Sequence, residues 1–191
     1  MCSSKALLNC AIATASVATA ANGAITQWRV EDGGNGHYYD IVVTPLQSWV
    51  ASKAQAELQG GYLASITSQA ENDWLWGAFS IGSTPAYWAQ TGPYPGFDGP
   101  VFGAYRTAGN VWTWLSGETW GWSNFGWGGA RGEAGAQFFA NSPYWDDISV
   151  NGGTAAGGNY SYVVEWSSIP APGAVALLGA AGLVGSRRRR A

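Results

Sequence analysis

The alternation of apolar and polar positions predicts a strand and then a helix near the start of the chain's central region. The run Tyr38–Val43 is aromatic and β-branched, which is typical of a strand. Ser48 is placed to cap a helix that runs through Gln59 and ends at Gly60. The apolar members of this helix are Trp49, Ala54, Ala56 and Leu58.

A second helix is predicted after a short strand. Gly60-Gly61 turns the chain into that strand, Tyr62–Ile66. Ser68 followed by Glu71 forms a capping box, in which a hydroxyl and a carboxylate three residues apart start a helix. The helix is expected to run over residues 69–79, with an inner side formed by Trp74, Leu75 and Ala78.

The second half of the chain changes to short aromatic segments separated by glycine. We interpret these segments as β-strands joined by long loops. They are Tyr87-Trp88, Val111–Leu115, Gln137–Ala140 and Tyr160–Trp166. Helices followed by short strands predict an α+β domain.

Composition narrows the class of ligand. The chain has 191 residues, enough for one domain, with 47% hydrophobic and 11% charged residues, 28 glycines and 12 tryptophans. Residues 25–169 hold all twelve acidic residues and only four basic ones, a net charge of −8. Such a body is poorly suited to nucleic acid and better suited to cations or neutral ligands such as sugars. Because Cys2 and Cys10 lie outside it, the body must be held by packing alone or with help from a metal.

The N-terminal segment predicts export. Residues 1–24 carry one lysine and then a small, apolar run ending in alanines, as in a secretory signal peptide. Ala18-Thr19-Ala20 fits the small-x-small cleavage rule. Two alternatives remain open here: a buried helix, and lipidation at Cys10, which the large Asn9 before it disfavours.

The C-terminal segment, residues 170–191, predicts a second targeting signal. Fourteen uncharged residues, Gly173–Ser186, precede four arginines. A helix of that length spans about 21 Å, short of a ~30 Å hydrocarbon core. Prolines, a short apolar helix and an arginine cluster together resemble the PEP-CTERM sorting signal, although Pro170-Ala171-Pro172 replaces the usual Pro-Glu-Pro. The resemblance implies transient membrane insertion, cleavage by an exosortase near the prolines and delivery to the cell surface; the alternative is a plain short anchor.

The body resembles a C-type lectin-like domain over about residues 37–166. Several motifs appear in the family's order, and together they carry the resemblance. They are Trp49, Ala56, Gly60, Gly61, Leu63, Ala64 and Ile66; Ser68, Glu71 and Asn72; Trp88; Trp112, Trp114, Gly117, Glu118, Trp120 and Asn124; Trp145–Asp147; and Tyr162–Trp166. The resemblance implies two helices, two small antiparallel sheets and a long ligand-carrying loop. Ala56 and Val164 stand where many members carry cysteines, so this is a cysteine-free version.

The resemblance also implies a calcium-dependent sugar site, and here the residues are incomplete. The loop triplet that holds calcium in sugar-binding members falls near Gly129-Ala130-Arg131, which offers no carboxylate. The remaining candidate ligands are Asp146, Asp147 and Glu133, plus carbonyl groups and water. The favoured alternative is an acidic turn beside a core tryptophan, Trp145.

A second calcium position is implied between the second helix and the last strand. Glu71 and Glu165 match the two residues that hold a structural calcium in some members. The alternative roles are helix capping for Glu71, which is compatible with metal binding, and an exposed strand position for Glu165.

The tryptophans offer a route to sugar without metal. Six of them are expected in the core: Trp49, Trp74, Trp88, Trp114, Trp145 and Trp166. Trp120, Trp122 and Trp127 lie in the glycine-rich loop between Gly117 and Gly135, where exposed rings would form a binding surface. The alternative is that they fill a loop that lacks disulfides.

These observations favour a non-catalytic protein. His37 is the one histidine, and no nucleophile elbow or zinc-ligand cluster is present in the sequence. We therefore expect an exported surface or matrix protein that binds polysaccharide or a cell-envelope glycan. The alternative function is a structural matrix or protein-interaction module with no small ligand.

Overall fold

Two α-helices and eight β-strands make up the described part of the computed structural model, which covers residues 24–89, 97–126, 132–152 and 159–169. The helices are α1 (Trp49–Leu58) and α2 (Gln69–Ala78). The strands are β1 (Thr26–Gln27), β2 (Tyr38–Gln47), β3 (Tyr62–Leu63), β4 (Asp98–Arg106), β5 (Trp112–Trp114), β6 (Gly135–Phe139), β7 (Trp145–Ile148) and β8 (Asn159–Trp166). Apart from Ala24, the expected signal peptide and the whole of the expected sorting signal lie outside these residues.

Both helices begin at the serines that the sequence indicates. The Ser48 hydroxyl accepts the backbone N–H of Ala51 at 3.2 Å, and the Ser68 hydroxyl accepts that of Glu71 at 3.2 Å. The Glu71 carboxylate accepts the N–H of Thr67 at 2.8 Å, one residue earlier than a capping box requires. Each helix thus has a satisfied first turn before any tertiary contact is counted.

The strands form two antiparallel groups that meet in one eight-stranded sheet. One group contains β1, β2, β8 and β3, and the other contains β5, β4, β6 and β7. A single parallel pair, Val101 with Tyr162, joins β4 to β8. The predicted α+β class and the two helices are confirmed, and the two expected small sheets are continuous with each other.

Tyr38 lies between the first and last strands of the described domain. It pairs with Gln27 of β1 on one side and with Trp166 of β8 on the other. Neighbouring strands lie about 4.8 Å apart, so Gln27 and Trp166 are about 10 Å from each other. The first and last strands of the domain therefore lie close together, with β2 between them.

The strand predictions were wrong at Asp98–Arg106 and at Tyr87-Trp88. No strand was expected at Asp98–Arg106, yet β4 is the strand that joins the two groups. It contains Gly103, whose N–H donates to Ala64 O at 2.8 Å while an added Cβ would lie 2.2 Å from Leu63 O. This close approach requires glycine. Because glycine has a low strand propensity, the strand could not be recognised from the residue types alone. Conversely, Tyr87-Trp88 is no strand, because Pro85–Tyr87 form a short 3-10 helix.

Helix α1 buries one narrow face. Trp49, Ser52 and Ala56 are its buried residues, at the spacing of one helical side. Leu58 follows Ala56 by two positions, which places it on the other side, and it is 73% exposed. Ala54 is exposed as well. Two of the four apolar residues of this helix, Ala54 and Leu58, therefore face solvent.

In helix α2 the buried residues are Glu71, Asn72 and Leu75, so polar groups occupy part of the inner face. Trp74 is half-buried and stacks on Trp28, with ring centroids 5.7 Å apart. The predicted inner residue Ala78 is exposed. The burial of Glu71 is what makes this helix relevant to the candidate site.

Tryptophan and small apolar side chains build the core. Five of the six expected core tryptophans are buried, namely Trp49, Trp88, Trp114, Trp145 and Trp166, whereas Trp74 is half-buried. Ala56 and Val164, the residues at the family's cysteine positions, are fully buried in one apolar cluster. Apolar packing thus replaces the disulfide that many family members have at these positions. Within the described ranges, no helix is both long and apolar enough to cross a membrane.

Candidate functional site

Trp120 is held against the core by two other indoles. Its ring stacks on Trp112 with centroids 5.9 Å apart and an interplanar angle of 21°, and it lies 4.7 Å from the ring of Trp114. Trp112 and Trp120 are both half-buried, and the guanidinium of Arg106 lies 5.7 Å from the Trp112 ring centroid. These rings are fixed by packing and retain partial exposure to solvent.

Trp122 is anchored in the same way on a different core residue. Its ring packs edge to face on Trp145, with centroids 5.1 Å apart and an interplanar angle of 88°. Phe125 packs on the Trp145 ring in the same way, at 5.7 Å and 87°. Trp122 is half-buried. The expected exposed rings are therefore partly inserted into the core at these two positions, and the third, Trp127, lies outside the described residues.

Trp145 organises the loop that carries these rings. Its backbone N–H donates to Asn124 O at 3.0 Å, and its carbonyl accepts the N–H of Gly126 at 3.0 Å. Its indole Nε1–H donates to the side-chain carbonyl of Asn72 at 2.8 Å. The side-chain amides of Asn72 and Asn124 both donate to Pro143 O, at 3.3 and 2.8 Å. Residues far apart in sequence thus fix the position of the loop.

The two aspartates after Trp145 lie in a strand, β7, not in the acidic turn that was expected. Asp147 pairs with Ala136, and Asp146 pairs with Gln137, in antiparallel register with β6. Backbone pairing with β6 supplies the hydrogen bonds that make this polar segment a strand. The expectation that Trp145 belongs to the core is confirmed, since it is fully buried.

Asp147 acts as an anchor for the returning loop. Its Oδ2 accepts the backbone N–H groups of Gly132 at 2.9 Å and Glu133 at 2.7 Å, and the residue is only 4% exposed. Partial desolvation, followed by the charges of Asp147 and Asp146, raises the pKa of Glu133. The structure therefore brings together the three residues expected for the sugar-site calcium, but one of them is already bonded to the backbone.

Glu71 and Glu165 are both buried and surrounded by protein donors. Glu71 accepts from Tyr39 Oη at 2.6 Å and from the N–H and hydroxyl of Thr67 at 2.8 and 3.0 Å. Glu165 accepts from Tyr62 Oη at 3.0 Å and from Ser65 N–H at 2.8 Å, and His37 Nδ1 lies 2.5 Å from its Oε1. The alternative of an exposed position for Glu165 was wrong, because it is 0% exposed.

Burial shifts the titration of both carboxyls. Desolvation raises the pKa of Glu165 to about 7. The hydrogen bonds from Ser65 and His37 lower this pKa in part, and the charge of Glu71 raises it further. Desolvation likewise raises the pKa of Glu71. A calcium ion would have the opposite effect and needs six to eight oxygens with free lone pairs.

The described residues do not fit calcium at either expected position. No group of three or more His, Cys, Asp or Glu side chains suited to a metal occurs in residues 24–89, 97–126, 132–152 and 159–169. Asp147, Glu71 and Glu165 each accept at least two protein hydrogen bonds, which compete with a metal ion for their oxygens.

Sequence reasoning missed a cleft beside the end of β8. It is lined by His37, Tyr62, Leu115, Ser116, Glu118 and Ser167 and has a volume of about 390 Å³. Glu118 was named as a motif residue and His37 as the one histidine, and neither was assigned to a cleft. These residues come from separate parts of the chain, so no local pattern in the sequence reveals the cleft.

Solved structures with the same arrangement define the class of fold. Human lithostathine matches with a TM-score of 0.57 at 14% identity, over 75% of this chain and 97% of that chain. The C-type lectin domain of murine dendritic cell inhibitory receptor 2, solved in complex with N-glycan, gives 0.51 at 17% identity, over 69% and 91%. The cow CD23 C-type carbohydrate-recognition domain, solved in the presence of a GlcNAc2Man3 oligosaccharide, gives 0.52 at 16%, over 69% and 88%.

The described domain has a C-type lectin-like fold, as its motifs indicated. No protein-family model matches the sequence, and no curated protein matches it. The structural likeness alone, at these identities, shows the fold.

Proposed function

We propose that this protein is exported and binds polysaccharide, without catalysis, through the tryptophans of the loop after β5. The observation that carries the proposal is a set of half-buried indoles fixed by packing. Trp120 packs on the core residue Trp114 and Trp122 on the core residue Trp145, while Trp112 of β5 joins them by stacking on Trp120. Fixed aromatic rings supply contact area with little loss of side-chain entropy on binding. The flat faces of sugar rings suit such a surface.

Binding by this surface does not require calcium. Three carboxylates at the expected metal positions, Asp147, Glu165 and Glu71, accept protein hydrogen bonds, whereas the indoles need no ion to contact a sugar. Two of the structural neighbours were solved with glycans, which supports carbohydrate as the ligand class for this fold. A tryptophan surface also tolerates many polysaccharides, because it makes no direct use of individual hydroxyl positions.

Export and surface delivery complete the proposal. They rest on the N-terminal segment 1–24 and on the apolar run and arginine cluster of residues 170–191. Processing of the tail would leave a mature C-terminus near Pro170–Gly173. Intact mass spectrometry of protein recovered from the cell surface measures this directly, and mature chains that end at Ala191 would contradict cleavage.

Affinity electrophoresis of the full-length protein tests the binding surface. Trp120→Phe and Trp122→Ala should weaken retention by polysaccharide roughly twofold to tenfold, since an aromatic contact contributes about 0.5–1.5 kcal/mol. Trp74→Phe is the matched control, because Trp74 is half-buried and packs on Trp28 instead of joining the loop cluster. Its retention should equal that of the wild type.

Two outcomes would contradict the proposal. If chelator and Asp146→Asn each abolish retention, a metal site at β7 carries the binding and the tryptophans do not. If no polysaccharide retains the wild type and a glycan array is silent, the protein is a matrix or protein-interaction module with no small ligand. Thermal melting of each variant checks that the fold is intact.

A further inference from the structure

The cleft beside the end of β8 has the size and lining of a small-ligand site. Its volume of about 390 Å³ falls in the ~300–1,000 Å³ range of ligand pockets. Five of its six lining side chains carry polar atoms, and Leu115 is the exception. None of the indoles assigned to polysaccharide lines it, so the cleft is separate from the tryptophan surface.

One wall of the cleft is fixed by Glu165. Tyr62 Oη donates to Glu165 Oε1 at 3.0 Å and lies 3.2 Å from the Ser167 hydroxyl. His37 lines the same wall, with its Nδ1 2.5 Å from Glu165 Oε1. Because Nδ1 is occupied, Nε2 is the ring nitrogen left for a ligand. The buried carboxylate therefore orients both an imidazole and a phenol toward the cleft.

The other wall presents a carboxylate. The Ser116 hydroxyl donates to Glu118 Oε2 at 2.8 Å and lies 2.6 Å from the Ser65 hydroxyl. Ser65 also donates its N–H to Glu165 Oε2 at 2.8 Å, which connects the two walls. Ser65 is 1% exposed, so this connection is rigid and exists before a ligand arrives.

The charge of the cleft selects the ligand. Among the described residues, no lysine or arginine lines it, and Glu118 is the one lining carboxylate. Burial is the main cause of the raised pKa values of Tyr62, Glu71 and Glu165, and the charge of Glu118 adds to each. The region therefore has a negative potential that repels anions and attracts cations. A ligand for this cleft carries a positive group for Glu118 and hydroxyls for the surrounding oxygen and nitrogen atoms.

We propose that the cleft binds an amino sugar, with its protonated amine on the Glu118 carboxylate and its hydroxyls on Tyr62, Ser116 and Ser167. The same chemistry occurs in a free hexosamine and in the end unit of a de-acetylated polysaccharide. The site is distinct from the tryptophan surface and needs neither calcium nor that surface to function.

Saturation-transfer NMR and calorimetry on the full-length protein test this site with three sugars. Glucosamine is the probe, glucose replaces its amine by a hydroxyl, and N-acetylglucosamine removes its charge. Glucosamine should bind at least tenfold more tightly than either of the other two. A short glucosamine oligomer that binds more tightly than the monomer identifies a polysaccharide end as the source, and equal affinity identifies the free sugar.

Variants assign the binding to the cleft. Glu118→Gln removes the charge but keeps an acceptor for Ser116, and it should weaken glucosamine binding roughly tenfold or more while leaving glucose unchanged. Glu57→Gln, an exposed glutamate on α1, is the matched control and should have no effect. Trp122→Ala should also leave glucosamine binding intact, so this test stands whether or not polysaccharide binds the loop. Equal binding of the three sugars, undiminished binding by Glu118→Gln, or no binding of glucosamine would overturn the proposal.

Discussion

Glu165→Gln tests whether the buried carboxyl beside His37 stands without a metal. Glutamine matches the shape of a protonated glutamate, and its carbonyl can accept the Ser65 N–H that Glu165 accepts at 2.8 Å. Its amide can face His37 Nδ1, which lies 2.5 Å from the carboxylate now. The variant should therefore fold, and it differs from the wild type chiefly in having no proton to lose.

The size of the effect follows from the raised pKa of Glu165. The ordinary value is 4.5 and burial raises it to about 7. Below pH 4.5 the folded and unfolded chains both hold the proton. Between pH 4.5 and 7 only the folded chain holds it, so the free energy of unfolding falls as pH rises. At about 1.4 kcal/mol per pH unit, the loss totals about 3 kcal/mol by pH 8.

Urea unfolding at pH 4 to 8 measures this loss. The stability of the wild type relative to Glu165→Gln should drop by about 3 kcal/mol across that range, and the comparison cancels groups that titrate equally in both proteins. Glu57→Gln, made on an exposed residue, should show no such trend. A relative stability that instead rises with pH would mean that Glu165 is stabilised as the anion. Calcium bound there would give that result, and the conclusion that desolvation outweighs the hydrogen bonds at Glu165 would be wrong.

Two further predictions concern stability. Gly103→Ala places a Cβ 2.2 Å from Leu63 O, so it should lower the free energy of unfolding by about 1–3 kcal/mol or more. Gly109→Ala is the control, because an added Cβ there meets only a side-chain atom at 3.7 Å, and it should change the stability little. Equal melting of the two variants would contradict the close approach of β3 and β4. Asp147→Asn weakens two charge-assisted bonds to Gly132 and Glu133, so we expect a loss of about 1–3 kcal/mol in urea unfolding. Asp146→Asn is its control, and a larger loss there would show that the neighbouring aspartate is the anchor.

The parts of the fold that were predicted depend on local sequence. The caps Ser48 and Ser68 act within one helical turn, so they could be recognised from a few residues. Strand β8 was also predicted because its β-branched and aromatic residues form one run. By contrast, Leu58 is apolar by type but lies opposite the buried side of α1. Its position depends on the angle at which the helix meets the sheet.

The parts that were not predicted depend on contacts across the chain. Strand β4 is hidden by Gly103, which is there because Leu63 approaches closely. The burial of Glu165 depends on donors from His37 and Tyr62, about 100 or more positions away. The candidate residues were found by family motifs, but their roles could not be found in this way. An Asp or Glu residue looks the same in the sequence whether its carboxylate binds protein donors or a metal.

The pairing of Tyr38 with both Gln27 and Trp166 has a consequence for how this domain can be joined to other proteins. Because Gln27 and Trp166 lie about 10 Å apart on either side of Tyr38, a short linker is enough to join the first strand to the last. Such geometry suits circular permutation, with new ends opened in a surface loop. It also suits insertion of the whole domain into a surface loop of a host protein, which would then display the lectin-like fold from two adjacent attachment points.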